Sequence, residues 1–92
     1  MTLLFGQNRR IDMAAGIVEL DLHGKNVFQA RIALETALKR AGAGTYRIRV
    51  IHGFNSGTAI RDLIRNEFSG RRDVLRCVAN GSGCTDLILR EY

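Results

Sequence analysis

The sequence contains no proline and no tryptophan, and it has two cysteines among its 92 residues. Cys77 and Cys84 are too few for a disulfide scaffold, and the six residues between them do not match the close cysteine pairs of a zinc ribbon or finger. No apolar run approaches the roughly 18 residues that a membrane-spanning helix needs. The opening Met1–Phe5 is too short for the apolar part of a signal peptide, and Arg9 and Arg10 follow it. We therefore expect reduced thiols and a cytoplasmic protein.

The composition indicates one globular domain with a basic surface. Apolar residues make up 46% of the chain, which is too many for intrinsic disorder, and the length leaves no room for a second domain. The net charge is +5, and arginine accounts for 12 of the 14 basic residues. Residues 23–92 carry 12 basic and 6 acidic residues, so the surplus lies in the folded body. Arginine suits phosphate recognition, although a base-composition bias in the genome would also produce this excess.

Periodicity divides the chain into an N-terminal arm and a domain. Residues 1–16 show no clean period, and we expect them to form a loosely ordered arm or an edge strand, followed by a domain over residues 17–92. An Asn26–Gln29 capping box predicts where the first helix begins. The predicted elements are strands at 17–22, 45–51, 74–79 and 85–90 and helices at 27–41 and 58–68.

This order, βαβαββ, predicts the fold class. Every predicted strand has one apolar face and one face with charged residues, whereas a sheet covered on both sides would be apolar throughout. The open face carries Glu19, Asp21, Arg47, Arg49, Arg76, Asp86 and Arg90. We therefore expect an α/β (α+β) two-layer sandwich whose mixed sheet has both helices on one face. The first two strands should be parallel and the last two antiparallel.

Polar residues follow both predicted parallel strands. The carboxyl ends of such strands meet at one edge of a sheet, next to helix N-termini that attract anions. The residues brought together there would be Asp21, His23, Lys25, His52, Asn55, Ser56 and Arg61. Gly53 and Gly57 permit positive φ, and asparagine tolerates that region better than most residues. The loop 52–57 can thus present several N–H groups to a phosphate.

Three ordered segments resemble the Smr (small MutS-related) domain family. They are Leu20–Gly24 (LDLHG), Ile51–Arg61 (IHGFNSGTAIR) and Gly81–Thr85 (GSGCT), and the similarity extends over residues 18–90. The family has an LDLHG-type segment, an HGxGxG-type loop leading into a helix, and a late glycine-rich turn. In this chain Asn55 replaces the middle glycine of that loop.

The resemblance implies a fold similar to the C-terminal domain of translation initiation factor three. It also implies binding of DNA or RNA, which several members of the family nick or cleave. Asn55 can keep the backbone shape of the loop, which binding needs, but it is less compatible with the finely placed geometry that catalysis needs. The resemblance therefore implies binding more firmly than cleavage.

Two interpretations are open for each candidate catalytic residue, Asp21, His23 and His52. Asp21 can form a cross-strand ion pair with Arg47 and Arg49 or orient a base or metal ion; the resemblance favours the second. The histidines can tie down their glycine-rich turns or transfer protons, since imidazole titrates near neutral pH. Cleavage would then be metal-assisted, with Mg²⁺ or Mn²⁺, or would use the ribose 2′-hydroxyl. Three such ligands are too few to predict a structural metal site.

The candidate nucleic-acid contacts lie in the same loops and in the second helix. Arg61 lacks an acidic partner in its helix, whereas Asp62 can pair with Arg65, so a phosphate would satisfy Arg61 first. Phe54 at a loop tip can stack on an unpaired base or pack back on the sheet. The full set is Gly24, Lys25, Gly53, Phe54, Asn55, Ser56, Gly57, Arg61 and Arg65.

The sequence therefore predicts a nucleic-acid-binding domain, and the resemblance implies an endonuclease (hydrolase) activity. RNA or single strands are favoured over duplex DNA, because no predicted helix is a long, basic major-groove reader. The alternatives are a non-catalytic module that binds RNA or the ribosome, and a protein-interaction or small-anion domain that shares the fold. The oligomeric state is left open.

Overall fold

The computed structural model describes residues 8–12 (backbone), 16–53 and 58–91. Within these residues the strands are Asn8–Asp12 (β1), Ile17–Asp21 (β2), Arg47–Ile51 (β3), Arg76–Ala79 (β4) and Cys84–Ile88 (β5). The helices are Val27–Arg40 (α1) and Ala59–Leu63 (α2), and α2 continues as a π-helical turn over Ile64–Phe68. The strands form one sheet in the order β1-β2-β3-β5-β4.

The strand directions agree with the prediction for a mixed sheet. β2 is parallel to β3, whereas β4 and β5 are antiparallel. β5 also pairs antiparallel with β3, which places β3 at the centre of the sheet. Within the predicted arm, β1 pairs antiparallel with β2 as an edge strand, while residues 1–7 and 13–15 lie outside the described residues. The domain boundary at residue 17 stays a prediction.

The hydrophobic core lies between the helices and one face of the sheet. In β2 and β3 every second residue is buried, as the alternation of apolar side chains predicts. Fully buried core residues from both layers are Leu20, Leu22, Ala30, Leu34, Ile48, Val50, Ile64 and Leu87. Cys77 is a free thiol packed against this core. The two-layer sandwich with its helices on one face is confirmed.

The first helix begins at the predicted capping box. Asn26 Oδ1 accepts a hydrogen bond from Gln29 N (2.8 Å), and Asn26 N donates to Gln29 Oε1 (3.1 Å). These bonds satisfy two backbone donors that a helix start otherwise leaves unpaired. Lys39 and Arg40 in the last turn suit the helix dipole. Local chemistry thus fixes where α1 begins, and the cap places its N-terminus directly after the end of β2.

The second helix covers residues 59–68, close to the predicted helix over 58–68, and its type changes along its length. α2 ends at Leu63, and a π-helical turn follows in which Ser69 N donates to Ile64 O (3.0 Å) across five residues. Ser69 Oγ also donates to Arg65 O (2.6 Å). The wider turn keeps both Ile64 and Phe68 buried. An apolar pattern of this spacing does not distinguish the two hydrogen-bonding arrangements, so it predicts a helix here and not the helix type.

The open face of the sheet also differs from expectation at one residue. Asp86 lies on this face, yet it is 2% exposed because Arg47 and Arg49 lie across it. Arg47 Nη1 donates to Asp86 Oδ2 (3.0 Å), and Arg49 Nε donates to Asp86 Oδ1 (3.2 Å). Asn80 Nδ2 donates to the same carboxylate (3.2 Å). The open face therefore contains a buried carboxylate held by β3 and by the turn between β4 and β5.

None of the helices in the described part of the chain combines the length and the apolar composition required to cross a membrane.

Candidate functional site

The carboxyl ends of β2 and β3 lie side by side. Asp21 is in register with Ile51, and Leu22 N donates to Ile51 O (2.7 Å), which extends the pairing by one residue. Beyond this bond the two loops remain close, since a Cβ atom built on Gly53 would lie 3.6 Å from His23 Cβ. Two segments separated by about thirty positions in sequence thus form one surface, as the parallel pairing requires.

The glycine-rich turn between β4 and β5 closes this surface from a third side. Gly83 O accepts hydrogen bonds from His52 N (2.9 Å) and from Gly53 N (3.0 Å). Two backbone nitrogens of this edge are therefore fixed by the late turn, whose Gly81 has a φ of 76°. All three segments of the sequence resemblance consequently meet at one place.

Asp21 and His23 form an exposed acid–imidazole pair. Asp21 Oδ1 accepts a hydrogen bond from His23 Nδ1 and another from His23 N (3.2 Å). The His23 side chain is 68% exposed and that of Asp21 is 24% exposed. A carboxylate on Nδ1 favours the tautomer with hydrogen on Nδ1, which leaves the lone pair of Nε2 for a proton. Among the described residues nothing hydrogen-bonds to Nε2, so this atom is free to act on a ligand.

His52 is a buried histidine with both ring nitrogens engaged. It is 5% exposed; Nδ1 lies 2.8 Å from Gly53 O, and Nε2 lies 2.9 Å from Thr85 Oγ1. Because a carbonyl oxygen only accepts, Nδ1 carries the hydrogen, and in the neutral ring Nε2 accepts from the Thr85 hydroxyl. Of the two roles considered for His52, this geometry favours tying down the loop over proton transfer. Thr85, absent from the predicted site residues, is the contact that holds the ring.

A cleft of about 270 Å³ opens beside this edge, between the start of α1 and the start of α2. Its lining residues are Lys25, Asn26, Val27, His52, Ala59, Ile60 and Arg61. Two of them are basic, none is acidic, and the first turn of α1 has no acidic residue. The positive end of the α1 dipole therefore adds to the charges of Lys25 and Arg61. Such a cleft attracts anions.

Arg61 contributes a donor that lacks an acceptor. Its Nε is buried and has no hydrogen-bond partner among the described residues. The nearby acid is Asp62, whose Oδ1 lies 3.8 Å from that Nε, while Asp62 Oδ2 accepts from Thr58 Oγ1 (2.9 Å). Asp62 thus forms a loose ion pair with Arg61, so the prediction that Arg61 lacks an acidic partner in its helix, with Asp62 pairing with Arg65, is wrong. Arg65 is exposed and is not among the residues that line the cleft.

Of the two interpretations of Asp21, the cross-strand ion pair with the arginines of β3 is not formed among the described residues. Arg47 and Arg49 instead bind Asp86 on the opposite neighbouring strand, and this hydrogen bond raises the pKa of Arg49. Asp21 is left to bind His23. β3 lies between β2, which carries Asp21, and β5, which carries Asp86. Only the strand order, and not the sequence pattern, shows that the arginines of β3 have this second acid as a candidate partner.

The remaining predicted contacts divide between glycines that the structure describes and a loop that it does not. Gly24 and Gly53 have φ values of 79° and 73°, a backbone conformation that other residues adopt only with strain. Phe54, Asn55, Ser56 and Gly57 lie outside the described residues. Among the residues described, no three His, Cys, Asp or Glu side chains are grouped so that they could hold a metal ion.

Comparison with known proteins agrees with the arrangement of these three segments. The Smr domain family model matches residues 20–87. Among solved structures, the Smr domain of Thermus thermophilus MutS2 is similar, with 30% sequence identity, a TM-score of 0.68, and coverage of 79% of this chain and 98% of that one. A comparison with curated proteins finds no match. With the family model spanning most of its length and its signature segments assembled at one edge of the sheet, the chain belongs to the Smr domain family.

Proposed function

We propose that this Smr domain binds nucleic acid, with a phosphate held in the cleft between α1 and α2. The observation that carries the proposal is the buried Nε of Arg61, which has no acceptor among the described residues and borders a cleft that no acid lines. The Asp62 carboxylate, 3.8 Å away, is beyond hydrogen-bond distance of this Nε, so a bound phosphate oxygen would supply the acceptor that it lacks. Lys25 and the start of α1 supply further attraction on the opposite wall.

The Asp21–His23 pair next to the cleft supports an endonuclease activity. Asp21 holds the ring by Nδ1, and Nε2 can remove a proton from an attacking hydroxyl or deliver one to a leaving oxygen. In RNA the attacking group would be the ribose 2′-hydroxyl; with Mg²⁺ or Mn²⁺ it would be a water molecule. We assign His52 a positioning role, since its two nitrogens hold Gly53 O and Thr85 Oγ1.

The second candidate function is a non-catalytic module that binds RNA or the ribosome. The engagement of His52 favours it, because one accessible histidine remains where two could have divided the roles of base and acid. The two functions share the phosphate-binding cleft and differ in whether His23 acts on the bound strand. Single-stranded nucleic acid suits both, since α1 shows the exposed apolar side chains Phe28 and Ile32 on its outer side and not a basic face.

Salt dependence of binding tests the cleft. We expect the affinity for a single-stranded oligonucleotide to fall steeply as salt is added, with a slope of about −0.7 in log K against log salt for each phosphate contacted. Arg61→Gln should make that slope shallower by the contribution of about one phosphate contact. Arg40→Gln removes the same charge from the exposed end of α1, away from the cleft, and should change the slope little. Binding that ignores salt would contradict the proposal and point to a protein partner.

A further inference from the structure

A second cleft of about 300 Å³ lies at the end of the sheet opposite the Asp21–His23 pair. Its lining residues are Tyr46, Arg47, Ile88, Arg90 and Glu91. Arg47 begins β3 and is in register with Ile88 at the end of β5, and Arg90 follows two residues later on the same face. The cleft is therefore built at the amino end of the central strand, on the face that the helices leave open.

This cleft has the same kind of unsatisfied donor as the first one. Within the described residues, three buried side-chain nitrogen or oxygen atoms have no hydrogen-bond partner, and all three are arginine Nε atoms. One belongs to Arg61 in the first cleft; the other two belong to Arg47 and Arg90, which both line the second. Native proteins leave few buried polar groups unpaired, so two such donors in one cleft indicate an acceptor supplied from outside the described residues.

The nearby carboxylates already accept hydrogen bonds from arginines, and none of these bonds uses the Nε of Arg47 or Arg90. Glu91 lines the cleft, but it accepts hydrogen bonds from Arg76 Nη1 (3.0 Å) and Nη2 (2.5 Å). Asp86 is shared by Arg47 and Arg49, with Glu19 beside Arg49 in the register of β2 and β3. Arg90 forms no ion pair with any acid that the structure describes. A guanidinium group with an unused donor next to neutralised acids suits an anion with several acceptor oxygens, and a phosphate has this chemistry.

The open face of the sheet connects the two sites. Asp21 and Arg47 both lie on it, in neighbouring strands, and Arg49 lies between them along β3. At a rise of about 3.3 Å per residue, the five steps from Arg47 to His52 span about 16 Å. Successive phosphates of one strand are about 3.4 Å apart along a duplex axis, so a strand of several nucleotides covers this distance.

We propose that the cleft of Arg47 and Arg90 is a second phosphate-binding site, which holds the same nucleic-acid strand that the Arg61 cleft binds. This inference rests on the proposed function and adds to it a path for the strand, along β3 past the Asp21–His23 pair. Arg90 is the residue to change, since Arg47 also holds Asp86 and its removal would disturb the sheet.

The test uses a single-stranded oligonucleotide of about 15 nucleotides, long enough to reach both clefts. We expect Arg90→Gln to make the salt slope shallower by about 0.7 relative to wild type, as one lost phosphate contact should. Arg90→Lys, which keeps the charge, should restore most of the slope, and Arg40→Gln is the charge-matched control. In wild-type protein the NMR signals of the Nε–H groups of Arg47 and Arg90 should shift when the strand is added.

The outcomes separate this inference from the proposed function. If Arg61→Gln makes the slope shallower while Arg90→Gln behaves like Arg40→Gln and the Nε–H signals do not move, the second site is refuted and the first cleft stands. If the wild-type protein does not bind the strand in a salt-dependent way, the proposed function and this inference both fail. Thermal unfolding of each variant, followed by circular dichroism, shows that a change in slope is not a loss of folding.

Discussion

The hydroxyl of Thr85 lies 2.9 Å from Nε2 of His52, and this buried contact joins the central strand to β5 directly beneath the candidate site. The other nitrogen of the ring holds Gly53 O, so one side chain fixes both the strand end and the loop that follows it. The His52 ring therefore fixes the position of the Gly53 backbone relative to His23. We assign His52 the role of positioning the loop at this end of the sheet.

Removing the hydroxyl should therefore destabilise the protein. Thr85→Val keeps the shape of the side chain but leaves a buried ring nitrogen unpaired, which should lower the free energy of unfolding by about 1–3 kcal/mol. Thr58→Val is the matched control, because that hydroxyl is on the surface and should change stability by less than about 0.5 kcal/mol. Urea denaturation measures both. Equal midpoints for the two variants would show that the His52 contact is dispensable.

Asp86 is the second buried polar group whose loss should be felt throughout the sheet. Asp86→Asn leaves Arg47 and Arg49 without their shared carboxylate. Breaking a fully buried ion pair lowers the free energy of unfolding by roughly 3–5 kcal/mol. Because both arginine side chains are about a third exposed, we expect a smaller loss of about 2 kcal/mol. The control is Glu91→Gln, an acid removed from an exposed pair with Arg76, which should leave the unfolding midpoint almost unchanged. A stable Asp86→Asn variant would mean that the arginines are fully hydrated.

These two contacts illustrate which parts of the fold the sequence could predict. The faces of β2 and β3 follow from the alternation of apolar residues, and the start of α1 follows from Asn26 and Gln29, because both signals are local. The arginine partners of Asp86 and the Thr85 partner of His52 are 33 to 39 residues away in sequence, and pairing them requires the strand order.

The same distinction holds for the candidate site. Parallel strands joined by a helix were enough to predict that the segments after Asp21 and Ile51 meet. The burial of His52 was not predictable, since it depends on Thr85, which lies on β5, the last strand in the sequence. Likewise, the π-helical turn after Leu63 has the same apolar spacing as an α-helix, and the two differ in backbone bonds that side-chain patterns do not report.

A surface pair between the helices gives a prediction about pH. Arg31 donates hydrogen bonds to Glu67 from Nε (3.0 Å) and Nη2 (2.8 Å), and this contact lowers the pKa of Glu67 and raises that of Arg31. Because the carboxyl group binds its proton more weakly in the folded state than in the unfolded one, its contribution to stability is present at neutral pH and is lost as the pH falls through the lowered pKa.

An NMR titration of the Glu67 side-chain carbon checks this direction. In the wild type the midpoint should lie below the ordinary glutamate value, and in Arg31→Gln it should return towards that value. The pair is exposed, so the thermal midpoint of Arg31→Gln at neutral pH should be close to that of the wild type. Identical titration midpoints in the two proteins would show that the hydrogen bonds do not persist in solution.

The exposed Asp21–His23 pair yields the prediction that separates an endonuclease from a binding module. His23→Ala should reduce cleavage about 10²- to 10⁴-fold, the usual contribution of a general acid or base, while stability and oligonucleotide affinity stay near wild type. Asp21→Asn should cause a smaller loss, because it weakens the hold on Nδ1 and leaves Nε2 in place. Asp73→Asn, which changes an exposed acid bound to Arg71, is the control.

Cleavage is measured on RNA, on DNA and on RNA with one 2′-deoxy position, with and without Mg²⁺ or Mn²⁺. Loss of cutting at the deoxy position without metal would identify the ribose hydroxyl as the nucleophile. A wild-type protein that binds these strands and cuts none of them is a non-catalytic module, and in it His23→Ala would change neither property.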